Sequence, residues 1–394
     1  MMSALAFIIL LGAWIASASA EPIVGSAPQK VEDAFVPHPP GYRAVPWVQG
    51  LEVPWSLVFL PDGRALVSER PGRIRLIRDG VLQEEPYAVL AAVEGGKGLI
   101  GFILELAVGG EGGLMGLALH PDFPEEPYLY AMHTYRGPDG VKNRVIRLED
   151  RGDHGRFDKV IIENIPGGLN HNGGRIAFGP DGMLYVTTGE TFEAQLAADL
   201  NSLGGKILRL TPEGKVPEDN PFPDSPVYSF GHRNPQGLAW HPETGQLFAS
   251  EHGPSGEFGL RAHDEINMIR PGGNYGWPNV VGAPGLKPYA DPLVVWKETA
   301  VPLAGMAFYD GDLFVAVLGR GALIRISLAQ LGPGYRVERI ERWFAQAPHE
   351  TRLGRIRDVV AAPDGRLYFL TSNRDGRGSP RPGDDKIYRL EPIN

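Results

Sequence analysis

The chain has 394 residues, with 52 Gly, 36 Pro, no Cys, 43% hydrophobic residues and a formal net charge of -9. That profile belongs to a turn-rich globular protein and excludes collagen-like, disulfide-stapled and disordered classes. The acidic balance excludes a general nucleic-acid binder, which must displace counterions from phosphates, yet leaves room for a small anion gripped by a few arginines.

From the N-terminus, the apolar run Leu5 to Ile15 followed by Ala18-Ser19-Ala20 reads as the core and cleavage site of a signal peptide over 1–20, although no basic residues precede it. An uncleaved anchor is the alternative, but the run is shorter than the ~20 residues that span a bilayer. The expectation is a periplasmic or secreted protein with no membrane span after cleavage. Without cysteine, such a protein is held by its core, its closure and metals. The Pro-rich stretch 21–40 is read as a tether, and 41–394 as one catalytic domain.

A turn followed by an alternating strand then recurs six times. The copies are Pro61-Asp62-Gly63 before Arg64 to Val67, His120-Pro121-Asp122 leading into Tyr128 to Tyr130, and Pro180-Asp181-Gly182 before Met183 to Val186. They continue at Pro242 to Gly245 before Gln246 to Phe248, Asp310-Gly311 before Asp312 to Val315, and Pro363-Asp364-Gly365 before Arg366 to Phe369. Asp-Gly supplies the positive dihedrals of a tight hairpin, and the aliphatic and aromatic residues after it form a half-buried strand. A second strand, such as Arg73 to Ile77 or Lys386 to Leu390, is expected to end each unit. The spacing of roughly fifty to seventy residues suits a four-stranded blade with long connections. The sequence therefore predicts an all-β, six-bladed β-propeller. A β-sandwich has similar strands and turns but does not explain six copies in one order. Closure is expected to pair Tyr42 to Val48 with the last blade. The apolar run Leu99 to Val108 fits no blade and is read as an inserted buried strand or lid.

Inter-blade connections of a propeller gather on one face around the channel, and the unusual residues fall there. Asn170-His171-Asn172-Gly173-Gly174-Arg175 precedes the third repeat strand; a lone loop histidine is more often solvated, but flanking glycines bring backbone close to a ligand. Gly189-Glu190, one strand beyond, can orient that imidazole. Gly231-His232-Arg233-Asn234-Pro235-Gln236-Gly237 suits carboxylate or quinone oxygens, which a planar guanidinium grips bidentately, or forms a fixed turn. Ser250-Glu251-His252-Gly253-Pro254, continuing through Asp264-Glu265 to Tyr275, offers carboxylates and carbonyls of the kind hard cations take, without EF-hand spacing. Arg355 and Arg357 alternate, so both project to one side, which calls for an anion or is a solvated face.

On these motifs, together with Gly112 to Phe123 and Leu203-Gly204-Gly205-Lys206-Ile207, the chain from about Val45 onward resembles the soluble quinoprotein glucose and sorbosone dehydrogenase family, in its aldose sugar dehydrogenase branch. The resemblance implies oxidation of aldoses with pyrroloquinoline quinone (PQQ) and calcium, by a monomer that passes electrons to an external acceptor. By position it implies that His171 is the base that deprotonates the anomeric hydroxyl while hydride moves to the quinone. Glu190 stands where the family has an aspartate paired with that base. Arg233 and Asn234 match residues on the quinone oxygens, Arg355 and Arg357 those on its carboxylates, and Trp296 an aromatic on its plane, with His252 beside them. Arg320 is expected to replace a cofactor-binding lysine. Glu111, in place of a glutamine, falls beside the substrate with Asn170 and Gln195. Gly253 and Pro254 offer carbonyls to a calcium, and Glu265 with Tyr275 resembles a second, structural calcium site. The rival readings are a calcium-dependent lactonase or hydrolase of the same shape and a propeller that only binds a partner.

Overall fold

The computed structural model describes residues 21–26, 28, 31–92, 110–319, 321–347 and 350–393. The leader 1–20, the run Leu99 to Val108 and Arg320 lie outside the described residues. The repeats fold as six antiparallel blades of a propeller, each contributing four strands to the ring. The innermost strands are Pro54–Phe59, Leu114–Leu119, Ile176–Phe178, Pro235–Trp240, Leu303–Tyr309 and Ile356–Ala361. In blade 1 the sheet runs outward through Ala65–Glu69, Arg73–Arg78 and Val81–Val89, and the other blades follow the same order.

The Asp-Gly turn joins the first strand to the second, where Gly63, Gly182 and Gly365 take φ of 88°, 72° and 75°, which a residue without Cβ adopts freely. Arg73–Arg78 and its counterparts are thus third strands, and a further strand follows each of them, rather than ending the unit. In blade 6 that fourth strand comes from the other end of the chain: Tyr42–Gln49 pairs antiparallel with Lys386–Pro392 and closes the ring, leaving no free sheet edge at the seam.

Each gap between neighbouring blades is filled by its own apolar cluster. Trp55, Met132 and Val186 pack between blades 2 and 3, Phe248, Leu303 and Ile324 between blades 4 and 5, and Trp343 and Phe369 between blades 5 and 6. The stretch 21–40 is not a free tether. Ile23–Val24 pairs in parallel with Val280–Val281, and Asp33–Val36 adds a fifth strand to blade 5 beside Gly334–Trp343. The Asp33 carboxylate anchors it by accepting from the Trp296 indole at 2.9 Å and from Arg342. Among the described residues no helix is long and apolar enough to cross a membrane.

The blades meet on the axis at one buried ion pair. Arg175, 7% exposed, donates through Nη1 to Asp358 Oδ2 (3.0 Å) and lies 2.9 Å from Oδ1 through Nη2. It also donates to Ser56 Oγ (3.2 Å) and to the Gln236 carbonyl (3.1 Å), so blades 1, 3, 4 and 6 share it. A Cβ on Gly305 of blade 5 would lie 1.8 Å from Asp358 Oδ1, so this glycine leaves room for the pair. Beyond it runs a cavity of about 460 Å³, lined by Leu57, Phe178, Trp240 and Phe308. Removing one partner strands a buried charge, which costs about 3–5 kcal/mol. Asp358→Ala is therefore expected to lower the unfolding free energy measured in urea by an amount of that size; a change of under ~0.5 kcal/mol, ordinary for a surface site, would contradict the role of the pair.

Candidate active site

The loops that precede inner strands, and the turns that follow second strands, converge on the face opposite that cavity. His171 takes φ of 54° and is 5% exposed. Its carbonyl passes so close to the next turn that a Cβ at Gly189 would sit 2.0 Å from it, which explains the glycine before Glu190. His171 Nδ1 meets Glu190 Oε1 in a short contact, and Arg233 Nη2 donates to His171 Nε2 at 3.0 Å. A guanidinium has no acceptor, so Nε2 carries the lone pair and Nδ1 the hydrogen. The tautomer is thereby set by both neighbours. The Glu190 N–H also donates to the Arg233 carbonyl (3.0 Å), locking the two loops together.

Arg233 is 2% exposed. Glu257 Oε1 accepts from its Nη2 at 2.6 Å, the His252 carbonyl from Nη1 at 3.3 Å, and its guanidinium lies 5.5 Å from the Trp277 ring. Arg233 Nε is buried without a partner. Asn234 accepts the Gly173 N–H (3.0 Å) and donates to Glu111 Oε2 (3.3 Å), which also accepts the His171 N–H (3.0 Å). His252 donates from Nε2 to the Leu303 carbonyl. Burial, with Arg233 and Arg357, pushes its pKa down to about 3 against the pull of Glu111, so it is neutral.

Arg357 is 2% exposed and donates to Gln236 Oε1 (2.7 Å), while its Nε is buried without a partner. Burial pushes its pKa down to about 9, and Arg355 and Arg70 push the same way against Asp375 and Glu111. Arg355 donates to Asp375 Oδ2 (2.8 Å), which lies 4.0 Å from Arg357. The site thus gathers arginines whose Nε groups, on Arg233 and Arg357, are buried without a partner. An anion with several oxygens satisfies such donors.

A small cavity of about 20 Å³ adjoins Arg233, lined by Glu251, Gly253, Pro254, Glu265 and Tyr275. That is room for one water-sized occupant. Burial raises the Glu265 pKa well above the carboxylate range, and Glu251, Asp264 and Asp291 add to the rise. A cation would relieve that repulsion. The Tyr275 hydroxyl is taken by the Met268 carbonyl (2.6 Å) and the Arg270 N–H (3.0 Å), which leaves its main-chain carbonyl as the group it could offer a cation. No trio of His, Cys, Asp or Glu able to hold a metal converges among the described residues; backbone carbonyls would complete such a site.

Two expected residues stand elsewhere. Trp296 lies on the outermost strand of blade 4, buried in the cluster between blades 4 and 5 with its indole N–H on Asp33, so it does not face the site. Gln195 is exposed on the short 3-10 turn Ala194–Ala197 after Glu190, and its side chain touches none of the site residues.

Residues 51–387 match the Glucose / Sorbosone dehydrogenase family model. The chain belongs to that family. It is an oxidoreductase. It is 32% identical over 368 residues to the aldose sugar dehydrogenase YliI of Escherichia coli, covering 84% of this chain and 91% of that protein. It superposes with a TM-score of 0.80 and 53% identity on a Thermus thermophilus oxidoreductase provisionally named a glucose dehydrogenase, over 89% of this chain and all of that one. The PQQ-bound aldose sugar dehydrogenase of Streptomyces coelicolor superposes at 0.76 with 38% identity, over 90% and 99% of the two chains.

The sequence motifs did not reveal three residues of this site. Glu257 clamps Arg233, Phe192 packs on His171, and Arg377 reaches across from blade 6 to Glu111 Oε1 (2.9 Å) and Asn170 Oδ1 (2.5 Å). Burial, the largest single effect, would raise the Glu111 pKa, but the charge and hydrogen bond of Arg377 lead the opposing effects, which together hold the carboxyl below the usual range. A lowered folded pKa gives stability that is present above the unfolded value and lost as pH falls through the folded one. Arg377→Met should therefore cost about 1 kcal/mol at pH 7, the side chain being a third exposed, and progressively less as pH falls below the ordinary Glu value. Urea titrations of both proteins across pH check this; a difference that stays constant or grows on acidification would contradict it.

Proposed function

We propose that this protein oxidises aldose sugars at the anomeric carbon to lactones, using PQQ and calcium, with His171 as the general base. The observation that carries the reading is the His171 tautomer: Nδ1–H on Glu190 and the lone pair of Nε2 on the arginine side of the site. When bound, the quinone supplies a two-electron acceptor for the hydride from the anomeric carbon.

This chain's residues do the rest. A sugar hydroxyl that takes the place of the Arg233 N–H at Nε2 gives its proton to that nitrogen, and Glu190 stabilises the imidazolium that results. Glu111 holds the backbone of His171, and Arg377 holds Glu111. Arg233 and Asn234 would hold the quinone oxygens, and Arg355 and Arg357 the carboxylates, with Arg320 as a further cation. The carbonyls of Gly253 and Pro254 would bind the calcium that polarises the quinone, and Glu265 with the Tyr275 main chain a second calcium. The orphaned Nε atoms of Arg233 and Arg357 support this assignment of an anionic cofactor. A hydrolytic calcium centre calls instead for a converging set of side-chain ligands, and no such trio is found among the described residues. Export to the periplasm or beyond, as a monomer serving an external electron acceptor, completes the proposal.

Purified protein given PQQ and calcium should reduce an artificial acceptor with aldoses. A panel of sugars giving no dye reduction would refute the reading. His171→Ala should lower turnover by about 10²–10⁴-fold, the usual weight of a general base, with cofactor binding retained; unchanged turnover would remove His171 from the role. Chelation of calcium should abolish dye reduction, with recovery on adding the ion back, and full activity in excess chelator would exclude the calcium.

A further inference from the structure

Phe192 is 56% exposed although it sits at the heart of the site. Its ring centroid lies 4.1 Å from that of His171, with the planes tilted by 43°. It takes φ of 64°, and Thr191 before it takes 51°. Two successive residues other than glycine in the left-handed region cost about 1–3 kcal/mol each and persist only where the surroundings fix them. The surroundings do so here. The Thr191 N–H donates to the His171 carbonyl at 3.2 Å, and the Glu193 N–H to the Glu190 carbonyl at 2.8 Å. Beneath the turn, buried Lys206 gives its three hydrogens to the carbonyls of Leu196 (2.6 Å), Ala197 (3.0 Å) and Gly204 (2.7 Å). A scaffold this complete, used to present a phenyl ring to solvent beside the base, lowers stability twice: by backbone strain and by apolar exposure.

We infer that Phe192 is a specificity-determining residue, the platform on which the apolar face of a pyranose rests while its anomeric hydroxyl reaches His171 Nε2. The inference rests on the sugar-oxidising reading above. An aromatic face carries negative charge density, and the axial C–H groups of a pyranose carry the complementary positive charge. A sugar lying on Phe192 covers the surface that the fold leaves bare. The side chain is otherwise of the wrong kind for a turn that glycine would make without strain.

The test is Phe192→Gly beside Phe192→Trp in the PQQ- and calcium-loaded protein, with Tm, kcat and KM for an aldose. Calorimetry of an anhydroglucitol, which has the ring but no anomeric hydroxyl to oxidise, gives a binding readout independent of turnover. Phe192→Gly should lower kcat/KM about tenfold, chiefly through KM, and weaken anhydroglucitol binding by a similar factor. Its Tm should hold or rise, because the strain is relieved, and Phe192→Trp should restore the KM. Unchanged KM and anhydroglucitol affinity in Phe192→Gly would overturn the proposal. So would a fall in Tm with kcat lost and KM intact, which marks a buttress for His171. A wild-type protein that oxidises no aldose refutes the parent reading instead, whereas active wild type with an indifferent Phe192→Gly refutes this inference alone.

Discussion

The Arg175–Asp358 pair is the constraint on which the site depends. Arg175 lies four residues after His171, Asp358 follows Arg357, and the Gln236 carbonyl that Arg175 holds lies two residues after Asn234. The three segments that carry His171, Asn234 and Arg357 are thus fixed to one another at the axis. Arg357 adds a second tie by donating to Gln236 Oε1. A buried ion pair is weak as a source of stability, because two desolvated charges roughly offset their attraction. Its value here is positional. It sets the spacing of strands from different blades, a distance that no local turn controls.

Above that floor the site holds two kinds of tension. One is electrostatic: Arg233 and Arg357 are almost fully buried with orphaned Nε atoms, burial keeps His252 neutral with their help, and Arg377 leads the charges that keep Glu111 ionised. The other is conformational. Of twelve non-glycine residues with positive φ among those described, His171, Thr191, Phe192, Phe258, Ala262 and His263 all belong to the loops that build the site. Strain of this kind collects where function overrides folding preference. An anion against the arginines and a cation beside Glu265 would relieve the electrostatic one.

The repeat architecture was legible because its signals are local. Asp-Gly turns, alternating strands and six copies in one order led to the six-bladed ring, and the Tyr42 strand closes it as expected. His171 and Glu190 were legible because glycines flank both, and a close backbone approach needs them. What escaped was long-range. Arg377 meets Glu111 across 266 positions, and Asp358 meets Arg175 across 183; neither has a neighbour in sequence that marks it. The N-terminal stretch looked like a tether because proline and polar residues dominate it, yet Asp33 finds Arg342 and Trp296 and makes it a strand. The same contact turns Trp296 away from the site. Arg355 and Glu265 lie at the site as expected, but Asp375 and Glu257, which set the charge around it, and Phe192, which packs on His171, carry no motif.

The central claim is that His171 acts as a base toward a sugar held beside an anionic quinone gripped by arginines. The most direct measurement is the absorbance of PQQ bound to the protein with calcium, followed anaerobically as an aldose is added without any other acceptor. The account predicts that one equivalent of cofactor is bound and reduced by sugar in a single turnover in the wild type, and that His171→Gln binds the same equivalent but is reduced slower by about 10² or more. Equal rates of reduction in the two proteins, or no bound cofactor in the wild type, would contradict it.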